Sequence, residues 1–126
     1  MSLYAQSSGT HSTNSSSWTA IPGLTVTLPE GAGAIAIVIL NVPNPYAQGN
    51  NTPGGNFGIN INGTMSPVFA SFTYNESSPQ SSGRVPTTLV VGVPLGGKPQ
   101  TIVGVWSNVR GSNVIIDSPA TLSAII

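Results

Sequence analysis

The chain has 126 residues and a mass of 12.8 kDa, enough for one domain with a core of useful size. Charged residues make up 5% of it and the formal net charge is zero, against roughly 25% charged residues in an ordinary soluble domain. That composition excludes nucleic-acid binding and docking on anionic membranes, both of which need clustered Lys and Arg, and a cysteine count of zero excludes disulfides and thiolate chemistry.

The first seventeen residues form a polar tract dense in Ser and Thr, readable as a flexible tail or an edge strand. No basic start or following apolar stretch marks a secretion signal there. From Trp18 to Ile126 the texture changes to short apolar runs separated by turn residues, which sets residues 18–126 apart as the folded domain. In chain order the runs are Trp18–Leu28, Ala34–Val42, Asn56–Ile61, Val68–Tyr74, Thr87–Val93, Thr101–Val109, Asn113–Ile116 and Ala120–Ile126. Pro or Gly in the intervening breaks interrupts helices, and Asn62-Gly63 is a tight-hairpin signal. The runs favour Val, Ile, Thr and Phe, so about eight short strands are expected, in an all-β antiparallel sandwich or jelly roll. Hydrophobic residues at 39% and a mean hydropathy of +0.19 argue against disorder. The longest apolar run, from Ala32 to Leu40, is too short for a membrane helix of roughly 20 residues.

The segments around Ile35–Leu40, Val114–Ile116 and Ala124–Ile126 are apolar on both faces of a strand. One explanation is a partner subunit covering the outer face; the other is the N-terminal tract folding over it.

Catalytic groups are scarce. His11 lies in the Ser-rich tract, Glu30 and Glu76 sit in turns, and no serine has a nucleophile-elbow context. No His or Cys cluster suggests a metal site. The expectation is a non-enzymatic domain that needs no cofactor or metal. What remains suits a neutral polar ligand. Arg84 follows Ser81-Ser82-Gly83, Arg110 precedes Gly111, Asp117 precedes Ser118, Thr73 and Tyr74 end a strand, and Tyr46 lies in a loop. Arginine presents planar donors able to grip neighbouring hydroxyls, and a tyrosine ring can lie against a sugar's apolar face. The bland alternative is that each arginine only satisfies loop carbonyls or pairs with Asp117.

These residues resemble the tumour-necrosis-factor-like, fucose-binding N-terminal domain of bacterial two-domain superlectins. The resemblance rests on Ile21-Pro22-Gly23-Leu24, Val38-Ile39-Leu40-Asn41-Val42-Pro43, Pro45-Tyr46-Ala47, Gly49-Asn50-Asn51, Phe72-Thr73-Tyr74, Ser82-Gly83-Arg84-Val85-Pro86, Val109-Arg110-Gly111-Ser112, Ile116-Asp117-Ser118 and Leu122-Ser123-Ala124-Ile125. It implies a jelly-roll protomer, a homotrimer, and fucose sites between protomers. It also implies that Tyr46, Ser81, Ser82 and Arg84 come from one protomer and Thr73, Tyr74 and Arg110 from its neighbour. Asp117 and Ser118 would then lie near an extended oligosaccharide. Asn56 stands where the family has a site tyrosine, Ser82 where it has a threonine, Ile115 where it has a histidine, and Pro119 where it has a tyrosine. Asn56 is kept as a site residue because its amide can bond to sugar or water. The sequence ends at Ile126, so the calcium-dependent second lectin domain of the relative is not expected within it. The expected activity is recognition of fucosylated glycans outside the cell or at its surface. The rival expectation is a trimeric structural module of a bacterial or phage appendage.

Overall fold

The computed structural model describes residues 2–49, 51–74 and 81–126. Glu76 and its loop lie outside the described residues. Eleven strands run in order: β1 (Ser2–Gln6), β2 (His11–Thr13), β3 (Thr19–Leu28), β4 (Ile35–Val42), β5 (Pro45–Gln48), β6 (Gly54–Ile61), β7 (Thr64–Thr73), β8 (Thr87–Pro94), β9 (Gln100–Val109), β10 (Asn113–Ile116) and β11 (Thr121–Ile125). Each apolar run of the sequence overlaps a strand, with β6 and β7 beginning before their runs. Three further strands, β1, β2 and β5, carry no such run. They are recruited by edge pairing rather than by a hydrophobic face: β1 against β11, β2 and β5 on either side of β10.

The strands form two four-stranded antiparallel sheets, ordered β1-β11-β4-β8 and β3-β9-β6-β7, with a small β2-β10-β5 sheet between them at one end. The chain crosses repeatedly from one large sheet to the other, as between β3 and β4, β7 and β8, and β8 and β9. This is the jelly-roll arrangement. Period-two alternation sends Ala36, Val38, Leu40 and Val42 of β4 inward. They meet Leu24, Val26 and Leu28 of β3, Phe57 and Ile59 of β6, and Ile102 and Trp106 of β9 in one core. Gly104 keeps the two layers close: a Cβ there would lie 3.2 Å from Leu40 Cδ1 and 3.3 Å from Leu24 Cβ. Asn62-Gly63 closes the β6–β7 hairpin with positive φ at both residues, the geometry of a type I′ turn.

The structure separates the two explanations for strands that are apolar on both faces. The N-terminal segment extends the first sheet at its edge through β1 and does not lie across its outer face. Tyr4, Ile35, Ile37, Val90 and Ile125 remain 41–64% exposed on that face. The β10 segment is different, because Val114, Ile115 and Ile116 are all buried within the single chain. Its doubled apolarity has an internal cause, since β10 lies between β2 and β5 and packs near β6 and β9 of the same chain.

Gly54 marks the tightest approach at the site end of the fold. A Cβ there would collide with the Phe72 carbonyl oxygen and come within 2.9 Å of Thr73 Cα. Gly54→Ala is expected to cost about 1–3 kcal/mol, roughly 5–15 °C in melting temperature. Gly97→Ala, whose Cβ would meet nothing within 4 Å, is expected to leave the melt unchanged. Equal melting curves for the two variants would refute the close β6–β7 approach.

Candidate functional site

Buried hydroxyls position both arginine-bearing segments. After Gly83, whose φ of +71° suits glycine, Arg84 leaves a stretch of chain pinned to β5. Ser82 N donates to Ala47 O at 2.8 Å, Ser82 Oγ accepts from Ala47 N at 2.9 Å and donates to Gly83 O at 2.6 Å, and Val85 N donates to Pro45 O at 3.0 Å. Ser81 bridges to Gln48 at the same edge. Ser82 is 8% exposed, with its hydroxyl committed to the backbone. Tyr46 stands on β5 itself and not in a loop, because Pro45 begins a strand that pairs with β10.

The Arg84 guanidinium makes a two-pronged ion pair with Asp117: Nη1 to Oδ1 and Nη2 to Oδ2, each 2.7 Å. Nη1 also donates to Asn44 O at 3.0 Å, and the group lies over the Tyr46 ring, 4.9 Å from its centroid. Asn44 Nδ2 donates to Ser118 Oγ at 3.1 Å. Tyr46, Arg84, Asp117 and Ser118 thus share one end of the small sheet, while Ser82 and Ser81 run along β5 beside Ala47 and Gln48, toward the Asn113 end of β10. Asn44 belongs with Arg84 and Asp117, and the flanking Pro43 and Pro45 were the sequence signal for a rigid turn there.

The second cluster surrounds Arg110, which has φ of +50° in the β9–β10 turn. Its Nε donates to Asn51 O and Thr52 O, both at 3.2 Å, and its Nη2 donates to Thr52 O at 2.8 Å. Ser112 Oγ accepts from Gly54 N at 3.2 Å and lies 2.6 Å from Gly54 O and 2.7 Å from Val109 O, tying this turn to β6. Thr73 pairs with Gly54 on β7, and Tyr74 N donates to Pro53 O at 2.9 Å. Thr73, Tyr74 and Arg110 therefore gather at the opposite end of β10 from Asp117. Asn51 and Thr52 act through their backbone carbonyls, which side-chain patterning does not reveal, while Ser112 acts through its hydroxyl.

Asn56 sits between neighbours on its sheet. Its Nδ2 donates to Ser107 Oγ at 3.0 Å and Asn108 O at 3.3 Å, and its Oδ1 accepts from Ser71 Oγ at 2.6 Å. Its amide is engaged inside the sheet. Ile115, opposite Tyr46 in the β10–β5 ladder, is buried. Among the described residues no group of three or more His, Cys, Asp or Glu could hold a metal ion.

Among the described residues, the jelly roll gathers neutral hydroxyls, tyrosines and two anchored arginines at loop and strand ends. The chain belongs to the Bc2l-C N-terminal domain family, whose profile matches residues 4–125. It is accordingly a carbohydrate-binding, lectin-like domain. No curated protein matches the sequence. Among solved structures, the chain is similar to the CBM36-1 domain of a multidomain xylanase from the hindgut metagenome of Trinervitermes trinervoides, at 17% identity and a TM-score of 0.48, over 100% of this chain and 98% of that one. It is also similar to the insecticidal delta-endotoxin Cry8Ea1 of Bacillus thuringiensis (16% identity, TM-score 0.46, 92% of this chain and 19% of that one). A third likeness is to dimeric latent PorU of Porphyromonas gingivalis (15% identity, TM-score 0.43, 96% of this chain and 13% of that one). The chain spans a fifth or less of the last two, and likenesses at this level carry no argument about function.

The hydrogen bonds and charge of Arg84 hold the Asp117 carboxyl below its ordinary range, outweighing the desolvation that opposes ionisation. Folding therefore favours the ionised form. The pair contributes above the ordinary carboxylate range and is lost as pH falls through the depressed value. A carbon-detected NMR titration is expected to find Asp117 ionising below the reference of about 3.9, and Arg84→Ala should return it toward that reference. An Asp117 midpoint at or above the reference in the unmodified protein would contradict the pairing.

Proposed function

We propose that the protein is a metal-independent lectin for fucose and fucosylated oligosaccharides, assembled as a homotrimer with its sites between protomers. It acts outside the cell or at its surface, where such glycans are displayed. The observation that carries this reading is the family match over residues 4–125, to a family whose fucose-binding member the sequence resembles. Two features of the chain support the shared site. The first is the separation of the arginines. The four residues of β10 stand between the Arg110 turn and Asp117, about 13 Å of extended strand. A single fucose ring is too small to be gripped from both ends of one protomer, so two protomers would supply one cluster each.

The second is the outer face of the β1-β11-β4-β8 sheet. Registers align Tyr4, Ser123, Ile39 and Val90 in one row and Ile125, Ile37 and Gly92 in the next. A contiguous apolar face of this kind, on a chain with so few charges, favours burial against copies of itself. Light scattering at micromolar concentration should give about three times the 12.8 kDa protomer mass, and Ile37→Asp with Val90→Asp should yield folded monomers. A stable monomer of the unmodified chain would overturn the trimer.

Sugar binding is tested by titration calorimetry with a fucoside. Binding should persist in a strong chelator. Arg84→Ala and Arg110→Ala should each weaken it about 10- to 150-fold, the value of a hydrogen bond to a charged group, with little change in melting temperature. Mixing and reassembling the two variants should restore part of the binding, because some interfaces then pair an intact Arg84 with an intact Arg110. Loss of binding in chelator, or no recovery despite proven exchange, would refute the respective parts of this reading. One observation favours a second reading, a trimeric structural module of a bacterial or phage appendage. Both arginines are already bonded within the chain, Arg84 to Asp117 and Arg110 to the Asn51 and Thr52 carbonyls. Trimers that bind nothing on a fucosylated glycan array would support it.

A further inference from the structure

Arg84 and Asp117 are more than a surface ion pair in geometry. A guanidinium has five N–H groups in a rigid plane. In Arg84, Nη1 spends its two on Asp117 Oδ1 and Asn44 O, and Nη2 spends one on Asp117 Oδ2. The Tyr46 ring covers one face of the group. Tyr46 is itself held in the β5–β10 ladder opposite Ile115, and Asp117 follows directly on β10. The two N–H groups left over are on Nε and Nη2. These lie side by side on one edge and point the same way, because Nη1 is on the side of the side-chain stem. Two parallel donors on one edge fit two adjacent oxygen atoms, as in a vicinal diol of a pyranose.

We propose that Asp117 is a positioning residue for sugar recognition: it clamps the far end of Arg84 against Tyr46 and Asn44 O, so that the Nε/Nη2 edge alone is presented to two neighbouring oxygens of the terminal sugar. This deepens the lectin reading and rests on it. It differs from the role that the resemblance implies for Asp117, a direct contact with the extended part of an oligosaccharide. Both carboxylate oxygens already accept a charged donor, and a flexible arginine fixed in advance loses less freedom on binding. The clamp acts on the terminal sugar, so its effect does not depend on the rest of the glycan.

The test uses the full chain and two probes, methyl α-fucoside and a trisaccharide ending in the same fucose. Asp117→Asn keeps the shape but turns an amide toward the guanidinium. It should weaken both probes by the same factor, about 5- to 30-fold, with an unchanged melting temperature. In the Arg84→Ala background the same substitution should have no further effect on either probe. The Arg84 Nε–H resonance, sharp in the unmodified protein, should broaden in Asp117→Asn. Weakening of the trisaccharide alone would overturn the proposal and make Asp117 a direct contact. Unchanged binding of both probes would overturn it too, and reduce the pair to a surface ion pair. An unmodified protein that binds neither probe would instead overturn the lectin reading, and the clamp's role in recognition with it.

Discussion

In a chain with three acidic and three basic side chains, buried backbone groups at strand ends have to be bonded by neutral hydroxyls and amides. Four residues carry this requirement where the fold is least regular. Ser7 Oγ accepts from Ala120 N and joins the N-terminal segment to the start of β11. Ser82 fastens the Arg84 segment to β5, and Ser112 fastens the Arg110 turn to β6. Asn108 Nδ2 donates to the carbonyls of Asn14 and Ser112 and so ties the N-terminal segment to the same turn. All four are buried. The loops bearing the arginines are thus held from beneath by uncharged bonds, and the charges themselves stay at the surface.

The surface position decides what the charges can do. The side chains of Arg84 and Asp117 retain 48% and 30% of their exposure, so their pair is screened by water and adds little to stability. In the proposed recognition its value lies in orientation. A guanidinium with one end clamped and one face on a ring offers a defined edge to a ligand, whereas a free one has to be ordered on binding. Arg110 is held in a similar way by two backbone carbonyls in a turn with positive φ. Opposed ends of β10 keep the two groups apart, and the apolar outer sheet is the face that the proposed assembly would cover.

The departures from the family pattern fall into the same account. Ile115, where the resemblance has a histidine, is buried opposite Tyr46. Asn56, where the resemblance has a site tyrosine, bridges β6 to Ser71 and Ser107 on either side. Ser82 keeps the hydroxyl of the threonine it replaces, and that hydroxyl bonds to the backbone of β5.

The sequence by itself determined the all-β class, the run-bearing strands and the scarcity of catalytic groups. Alternation of Val, Ile and Thr and the Gly and Pro breaks are local signals, and each acts within a few residues. It also singled out Arg84 and Arg110, because rare charges beside glycine turns stand out in a neutral chain, and with them Asp117 before Ser118 and Tyr46 after Pro45. Only the tertiary structure decided that the polar segments Ser2–Gln6, His11–Thr13 and Pro45–Gln48 are strands, since edge pairing needs backbone partners distant in sequence and no apolar pattern. Only it decided that Arg84 reaches Asp117 across 33 residues, that Arg110 is held by the Asn51 and Thr52 carbonyls, and that the hydroxyl of Ser82 faces inward. Carbonyl partners carry no side-chain identity, so no residue type announces them. The doubled apolarity of β4 and β10 looks alike in sequence, yet β4 leaves Ile35 and Ile37 exposed while Val114, Ile115 and Ile116 of β10 are all buried. The difference is a matter of which layers the fold stacks on each strand.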